Sequence, residues 1–289
     1  MKQGTAVALG NFDGLHTGHM KVLQAALSSS GDGVVPVVLL FDCHPLKVLN
    51  GSEPPYIMTQ QDRDSLLHDM GFVTVTESFD EICNMSPTEF VDGILCKKLN
   101  AKTVCCGYNY RFGKGGSGDT QMLKKLCGER SVNVIVAKEQ MADGESVSST
   151  RIRKLIESGD VEKAGKLLGR PFGYNLTVIH GNKNGRQLGF PTANQAFPDG
   201  FAVPKYGVYA SRTTVDGKTY RSITNIGVRP TIEDTALLSE THIIGVDRDL
   251  YGEKIKVELL FYIREERKFN SLEEVFLQVR EDIRLVLVK

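Results

Sequence analysis

The sequence has no excess of charge of either sign and no long apolar run. Its 35 basic side chains balance 35 acidic ones, so it lacks the electrostatic footprint of a nucleic-acid-binding or anionic-membrane-binding protein, although a local basic patch is still allowed. Apolar stretches are only strand-sized, and the first ten residues lack the basic and apolar regions of a signal peptide. We therefore expect small-molecule partners, no nucleic acid or membrane partner, and a cytoplasmic location.

The sequence also lacks two common chemical signatures. Six cysteines are too few for a disulfide framework in a chain of 289 residues, and none forms a C-x-x-C pair, so reduced and mostly buried thiols are expected. No G-x-x-x-x-G-K-[ST] motif occurs. The nearest trace, Gly217-Lys218-Thr219, has Arg212 where the first glycine belongs, so any kinase here is not a P-loop enzyme.

The first part of the chain alternates strand-like and helix-like segments. The composition, 41% hydrophobic and 24% charged, is typical of a globular protein long enough for two domains. Alternating elements predict a doubly wound parallel sheet whose ligands bind beyond the carboxyl ends of the strands. The predicted strands are 5–9, 34–41, 72–76, 102–106 and 132–137. The predicted helices are 20–27, one that begins at Thr59, one that opens at the Ser86 capping box and reaches about Leu99, and one around 119–127.

After about residue 170 the sequence becomes rich in strands. KIKVELLFYI at 254–263 alternates apolar and polar residues, which is typical of a half-buried antiparallel strand or a barrel stave. Ser271 and Glu274 form a capping box before a helix with an apolar stripe of Leu272, Val275, Phe276, Val279 and Ile283. We predict a first domain at 1–170 and a small antiparallel β-barrel with a C-terminal helix at 171–289.

The run GNFDGLHTGH at 10–19 lies where the first strand turns into the first helix. Glycines at such a turn let backbone N–H groups approach a phosphate, and the helix N-terminus adds its positive dipole end. His16 and His19 can both donate hydrogen bonds to phosphoryl oxygens. Without Gly10, Gly14 and Gly18, two solvated histidines at a helix start would be an equally good interpretation.

Two further segments of the first domain have features of a ligand site. VSSTRIRKLI at 147–156 places three hydroxyls at a predicted helix N-terminus with Arg151 and Arg153 in the first turn, a combination that can hold phosphate oxygens. A serine cap on a basic surface helix is the alternative. The loop 106–119 contains Asn109, aromatic residues and a G-x-G-x-x-G that is weak as a dinucleotide fingerprint. We interpret it as a mobile loop near a ligand.

GRQLGFPTAN at 185–194 is the third cluster, in the second domain. Thr192 and Asn194 offer oxygen ligands on alternate residues, as Mg²⁺ beside ATP phosphates would need. The same residues could also form a turn leading into a strand.

These motifs occur in a recognisable order along nearly the whole chain. GNFDGLHTGH, VSSTRIRKLIESGDVEKAGKLLGRPF, HGNKNGRQLGFPTAN, YGVYA, NIGVRPT, ETHI and DLYG resemble the bifunctional riboflavin kinase/FAD synthetases of bacteria. By this resemblance the first domain is a nucleotidylyltransferase that transfers the adenylyl group of Mg·ATP to FMN, giving FAD and pyrophosphate. His16 and His19 would stabilise the charge that develops on the phosphates.

The resemblance also implies binding residues for this first domain. Asn109 would approach the flavin. His44 matches a family position near the nucleotide. The family usually has proline at the position before it, where this chain has Cys43, so the loop is expected to be less rigid here. The implied nucleotide-binding residues are Gly10, Phe12, Gly14, His16, His19, His44, Ser149, Thr150 and Arg153.

For the second domain the resemblance implies a riboflavin kinase that moves the γ-phosphate of ATP to the 5′-hydroxyl of riboflavin. Glu240 would be the general base, although alone it could be a solvated strand-edge carboxylate. Arg264 falls in the flavin-side segment, with a surface salt bridge as its alternative. Residues 245–248 depart from the family pattern. The implied nucleotide residues are Gly185, Arg186, Thr192 and Asn194, the last two also holding the metal.

Two other functions stay open at this point. The chain could be a nucleotidylyltransferase for another acceptor, with an accessory β domain. It could also be a flavin-binding regulator without catalytic activity, although broken motifs would be expected of such a protein.

Overall fold

A computed structural model describes residues 1, 3–180, 189–230 and 235–288. The chain divides into two compact units. The first comprises Met1–Pro55 and Gln60–Ser149, and the second comprises Tyr56–Thr59 and Thr150–Lys289. The boundary expected after residue 170 stays a prediction for the functional domains.

The first unit is built on a five-stranded parallel sheet in the order β3-β2-β1-β4-β5. The central strand β1 is apolar and almost wholly buried, as a strand covered on both faces should be. Chain order reverses between β1 and β4, which creates the crevice where doubly wound sheets bind ligands. The strands are β1 (Gly4–Leu9), β2 (Val34–Phe41), β3 (Val73–Glu77), β4 (Ala101–Gly107) and β5 (Asn133–Ala137).

Helices connect these strands and confirm the predicted α/β alternation. The predicted capping box is present: the Ser86 hydroxyl accepts from the backbone N–H of Glu89 at 3.2 Å, and the Glu89 carboxylate accepts from that of Ser86 at 2.8 Å. The short helix after it continues as the π-helix Phe90–Lys98. The other elements are α1 (Thr17–Ser28), α2 (Pro45–Asn50), α3 (Gln60–Asp69), α4 (Phe79–Ile82), α5 (Pro87–Glu89), α6 (Thr120–Gly128) and the hairpin of β6 (Met141–Ala142) and β7 (Glu145–Ser146).

The second unit contains the predicted closed antiparallel barrel, with strands in the order β10-β11-β12-β9-β8-β13. Ile255, Val257 and Leu259 alternate into its core. Two helices, α7 (Ser149–Ser158) and α8 (Val161–Leu168), precede the barrel, and α9 (Leu272–Val288) follows it. The barrel strands are β8 (Gly173–Ile179), β9 (Ala193–Ala196), β10 (Gly207–Val215), β11 (Lys218–Pro230), β12 (Thr235–Ile243) and β13 (Lys254–Arg264).

Part of the barrel core is a continuous chain of buried hydroxyl groups. The Ser211 hydroxyl lies 2.8 Å from those of both Ser222 and Thr224, and Thr224 lies 2.9 Å from Thr241. Because each hydroxyl can both donate and accept, these hydroxyl groups satisfy one another. The chain of hydroxyls is completed by Thr213, Ser239 and Tyr174.

The C-terminal helix is held through its second half. Asp282 is 1% exposed and Val286 is also 1% exposed. The predicted apolar stripe is wrong in its first part, where Leu272 is 65% exposed and Phe276 is 37% exposed. The Ser271 hydroxyl does accept from the Glu274 backbone N–H at 3.2 Å.

Among the described residues, no helix is both long and apolar enough to cross a membrane.

Candidate functional sites

A cavity of about 520 Å³ opens in the first unit at the carboxyl ends of its parallel strands. Leu9 and Gly10 from the end of β1 line it, together with Gly107 after β4 and Ala137 after β5. It therefore occupies the position that the switch in strand order predicts. Six of the site residues expected from the sequence line it: Gly10, Phe12, His16, His19, Asn109 and Ser149.

The turn between β1 and α1 has an unusual backbone. Phe12 and Leu15 adopt left-handed conformations with φ of 53° and 43°, and Gly14 between them has φ of 80°. Left-handed backbone is costly for residues with a bulky side chain and is concentrated at functional sites. Gly14 thus shapes the turn but is not among the residues lining the cavity.

His16 and His19 form a rigid pair on this turn. His16 is the N-cap of α1, and its Nδ1 accepts a hydrogen bond from the backbone N–H of His19 at 3.2 Å. The two imidazole rings stack with their centroids 3.6 Å apart and their planes 15° apart. The Phe12 ring meets His19 edge-on at 5.3 Å. A Cβ on Gly18 would lie 3.1 Å from the His16 ring, so this glycine leaves room for the pair.

Burial favours the uncharged form of His19. Burial, with a smaller contribution from neighbouring His16, holds the pKa of His19 well below its usual value of 6.5. Its Nδ1 is buried and has no hydrogen-bond partner in the described part of the chain. At neutral pH the imidazole of His19 is therefore neutral, so it presents one N–H donor beside the cavity without a positive charge.

The hydroxyl-rich helix start is only partly at the cavity. Ser148 and Ser149 line the cavity, and the Ser149 hydroxyl donates to the backbone carbonyl of Asp13 at 2.9 Å. This bond holds Ser149, the last residue of the first unit, against the turn after β1. Thr150 and Arg153 follow in the first turn of α7 and are not among the lining residues.

His44 has a local structural role. It is the N-cap of α2, where its Nδ1 accepts from the backbone N–H of Leu46 at 3.2 Å. The next residue, Pro45, lines the cavity, and His44 itself does not.

The sequence did not identify the apolar end of the cavity. Its side chains follow the ends of β2 and β3 or belong to the π-helix, and the rule that ligands bind beyond strand ends could have identified the first two groups. Three of these side chains are aromatic and the others are apolar, a composition that suits a flat ring system. The apolar end comprises Phe41, Pro45, Leu49, Phe79, Ile82, Cys83 and Phe90.

The second unit places a row of polar residues across three neighbouring strands of its barrel. Glu240 on β12 pairs in register with Asn225 on β11 and with Asn194 on β9. The Asn225 Nδ2 lies 3.5 Å from a Glu240 carboxylate oxygen, and donates to Glu266 at 2.8 Å. Glu240 is therefore a partly exposed carboxylate flanked by two amides.

A smaller cavity of about 120 Å³ adjoins this row. Thr192 and Asn194 line it, whereas Glu240 does not. The Asn194 Oδ1 is buried without a hydrogen-bond partner in the described residues, and such an oxygen suits a hard cation. Arg248 and Tyr251 line the other side. Gly185 and Arg186 lie outside the described residues.

Arg264 has a protein partner. Its guanidinium makes a two-pronged ion pair with Asp282, with N···O distances of 2.7 and 3.1 Å. Asp282 is 1% exposed, so the pair fastens α9 to the end of β13. The sequence left a surface salt bridge as the alternative to flavin binding, but the carboxylate of this pair is buried, and flavin binding by Arg264 stays a prediction.

Comparisons with known proteins match two families to this chain, one over the segment that contains the large cavity and one over the segment that contains the barrel. A family profile described as FAD synthetase matches residues 1–151, and one described as riboflavin kinase matches residues 168–287. A curated protein of Listeria monocytogenes is 36% identical over 285 residues, covering 96% of this chain and 89% of the relative. A curated protein of Bacillus subtilis is 34% identical over 288 residues, covering 96% of this chain and 90% of the relative. Both are named bifunctional riboflavin kinase/FMN adenylyltransferase.

The fold also matches a solved structure. A crystal structure from Streptococcus pneumoniae, titled macrolide-efflux protein, superposes with a TM-score of 0.89 at 30% identity. The match covers 99% of this chain and 94% of that one. The two chains therefore share their fold over nearly their whole length.

Proposed function

Because this chain belongs to the bifunctional riboflavin kinase/FMN adenylyltransferase family, we propose that each of its two sites carries one of the family's two reactions. The second unit phosphorylates riboflavin to FMN with ATP, and the first unit adenylylates FMN to FAD. The observation that carries this assignment is the presence of two separate polar sites, each within the segment that matches the corresponding family.

Adenylyl transfer needs positioning more than a reactive side chain. An FMN phosphate oxygen attacks the α-phosphorus of ATP, and pyrophosphate leaves with the electron pair of the broken P–O bond. His16 and His19 donate hydrogen bonds to oxygens that gain charge in the transition state. Their stacking and the cap on α1 hold them in place before the substrates arrive, which lowers the cost of orientation during the reaction.

The shape of the large cavity supports an arrangement of the two substrates. Its apolar wall of aromatic and aliphatic side chains suits the isoalloxazine ring of FMN. Asn109, from the loop after β4, offers amide groups to the flavin. The phosphates then lie toward the glycines and histidines of the 10–19 turn and toward Ser148 and Ser149. Phosphate binding by Thr150 and Arg153, which the family motif implies, remains a proposal.

Riboflavin phosphorylation needs a base near the reacting hydroxyl. Glu240 accepts the proton of the riboflavin 5′-hydroxyl as that oxygen bonds to the γ-phosphorus of ATP, and ADP leaves with the electron pair. Thr192 and Asn194 are the residues that would hold Mg²⁺ with the nucleotide. Bound there, the ion would neutralise phosphate charge. The feature that supports this donor set is the Asn194 Oδ1, which has no hydrogen-bond partner among the residues that the structure describes.

Other expectations from the sequence remain proposals. Arg264 could contact the flavin through guanidinium N–H groups not used by Asp282, so its ion pair does not replace that role. Gly10, Phe12, Gly14 and His44 shape the nucleotide end of the large cavity through backbone geometry and capping. The cytoplasmic location and the absence of nucleic-acid and membrane partners stay predictions.

The test is to incubate the purified chain with Mg·ATP and either riboflavin or FMN, and to separate the flavins chromatographically. Riboflavin should give FMN and then FAD, and FMN should give FAD. A nucleotidylyltransferase for another acceptor would leave riboflavin unchanged, and a flavin-binding regulator would convert neither flavin. Either result would contradict the assignment of two reactions.

A further inference from the structure

The motif NIGVRPT contains an asparagine and a glycine that the two reactions described so far do not use. Its first residue, Asn225, lies on β11 directly opposite Glu240. We infer that Asn225 binds riboflavin, its Oδ1 accepting a hydrogen bond from a ribityl hydroxyl next to the reacting 5′-hydroxyl, and that Glu266 fixes the orientation of the Asn225 amide. This inference rests on the proposed riboflavin kinase activity.

Two carboxylates set the orientation of the Asn225 amide. Its Nδ2 donates to the Glu266 Oε1 at 2.8 Å and lies 3.5 Å from the Glu240 Oε2. Ionised carboxylates only accept hydrogen bonds. Turning the amide over would bring its oxygen against both of them, so only one orientation is favourable.

That orientation leaves the amide oxygen for a ligand. The Oδ1 of Asn225 is buried and has no hydrogen-bond partner in the ranges that the structure describes. A buried acceptor without a partner is unfavourable, and a bound donor removes the penalty. Riboflavin carries donors of the right kind, since its ribityl chain has hydroxyls on the carbons next to the 5′ position.

The position of Asn225 selects those hydroxyls over more distant groups. Neighbouring strands lie about 4.8 Å apart, so the side chains of Asn225 and Glu240 lie beside one another on the barrel. With the 5′-hydroxyl at Glu240, the donor nearest to Asn225 belongs to the adjoining part of the same ribityl chain. Asn194, on the opposite side of Glu240, faces the smaller cavity assigned to the nucleotide.

The glycine of the motif leaves room for Glu266. A Cβ on Gly227 would lie only 2.5 and 2.6 Å from the two carboxylate oxygens of Glu266. No side chain larger than hydrogen fits there while Glu266 keeps its contact with Asn225. Glu266 comes from the segment after β13, so Gly227 lets this segment reach the motif. Asn225 is thus a binding residue, and Glu266 and Gly227 are positioning residues.

The test combines Asn225→Ala with riboflavin analogues that each lack one ribityl hydroxyl. The variant should raise the KM for riboflavin about tenfold, the usual effect of losing one buried hydrogen bond, with a smaller change in kcat. One deoxy analogue should bind the unchanged protein about tenfold more weakly than riboflavin, yet bind the variant as well as riboflavin does. Quenching of flavin fluorescence in the presence of ADP measures the same affinities without turnover.

Matched variants separate this role from general damage. Thr219 lies on β11, the same strand as Asn225, and its hydroxyl is 3.2 Å from the hydroxyl of Thr214 on β10. Thr219→Ala should leave the KM for riboflavin unchanged. Glu266→Gln introduces an amide that can donate to Oδ1 of Asn225, so it should also raise the KM for riboflavin. Adenylylation of FMN should stay normal in all three variants.

The outcomes distinguish the inference from the function on which it rests. If the unchanged protein does not phosphorylate riboflavin, the proposed function is wrong. If the unchanged protein does phosphorylate riboflavin, two results would show that Asn225 does not contact the ribityl chain. One is normal riboflavin binding by Asn225→Ala. The other is that each deoxy analogue loses the same affinity in the variant as in the unchanged protein. If Asn225→Ala unfolds, unchanged riboflavin affinity in a folded Glu266→Gln protein overturns the inference.

Discussion

The Nδ1 of His16 accepts a hydrogen bond from the backbone N–H of His19, and the rings of the same two residues stack 3.6 Å apart. Helix capping and site geometry are therefore one arrangement. The cap fixes the ring of His16, and the stack then fixes that of His19. Changes to either residue, or to the glycine between them, should affect both helix stability and adenylyl transfer.

Replacing His19 by alanine should lower FMN adenylylation about 10²-fold, the usual effect of removing one preorganised donor to a developing negative charge. Riboflavin phosphorylation should persist, because Glu240 and its neighbours belong to the other unit. Rates with FMN and with riboflavin measure the two reactions separately. His68→Ala is the control, since His68 is an exposed histidine on α3. Equal loss of both reactions in His19→Ala would contradict the assignment of two sites.

Gly18→Ala should impair adenylyl transfer although alanine favours helices. The added Cβ would lie 3.1 Å from the His16 ring and would push the ring from its stack, so we expect a loss of about tenfold or more in kcat/KM. Gly128→Ala is the matched control, because a Cβ on this last residue of α6 meets nothing within 4 Å. It should leave the rate unchanged and stabilise the protein by up to about 1 kcal/mol. Unchanged adenylylation in Gly18→Ala would show that the stack is not needed.

The turn at residues 10–19 could be predicted because its signals are local. A buried strand, three glycines and a helix pattern follow one another within twenty-five residues, and their spacing alone places the histidines at a strand-to-helix turn. The same is true of Ser86 and Glu89, whose capping box depends on four consecutive residues. Alternation of strands and helices was also enough to predict the parallel sheet, and the alternating apolar residues of 254–263 indicated a barrel strand.

Features that depend on pairing between distant segments could not be predicted in this way. Strand register sets Asn225 beside Glu240, and the contact of Asn225 with Glu266 joins residues 41 positions apart. The chain of buried hydroxyls depends on which strands close the barrel, because each serine or threonine alone is typical of an exposed strand. Leu272 was placed on the buried face since periodicity does not show where α9 first meets the barrel.

Glu240→Ala should lower riboflavin phosphorylation by about 10² to 10⁴, the usual contribution of a general base. FMN adenylylation should continue at its normal rate. Glu273→Ala removes an exposed carboxylate from α9 in the same unit and should affect neither reaction. Initial rates with each flavin make the comparison. A rate of FMN formation within a few fold of normal in Glu240→Ala would remove the base assignment.

Asp282→Asn tests what Arg264 contributes. Breaking a buried ion pair leaves the remaining charge without its partner, so we expect the second unit to lose about 3 kcal/mol of unfolding free energy. If the pair only fastens α9, the KM for riboflavin in the folded variant should stay unchanged. Arg264→Lys should then behave in the same way. A KM raised in Arg264→Lys and normal in Asp282→Asn would instead indicate a flavin contact.

The buried state of His19 predicts how stability depends on pH. Burial first, and His16 second, hold its pKa in the folded protein well below 6.5, whereas in the unfolded chain it titrates near that value. Below about pH 6.5 the unfolded chain therefore binds a proton that the folded protein does not, so the free energy of unfolding falls as the pH decreases. The contribution of His19 is complete above pH 6.5 and should decrease by about 1 kcal/mol at pH 5.5.

Denaturant unfolding of the full chain at pH 7.5 and 5.5 measures this difference, and His19→Asn supplies the reference because asparagine does not titrate. The unchanged protein should lose about 1 kcal/mol more than His19→Asn over this range, since other titrating groups act alike in both. Imidazole NMR signals of His19 should titrate well below pH 6.5. A midpoint at or above 6.5 would contradict the lowering of the His19 pKa by burial.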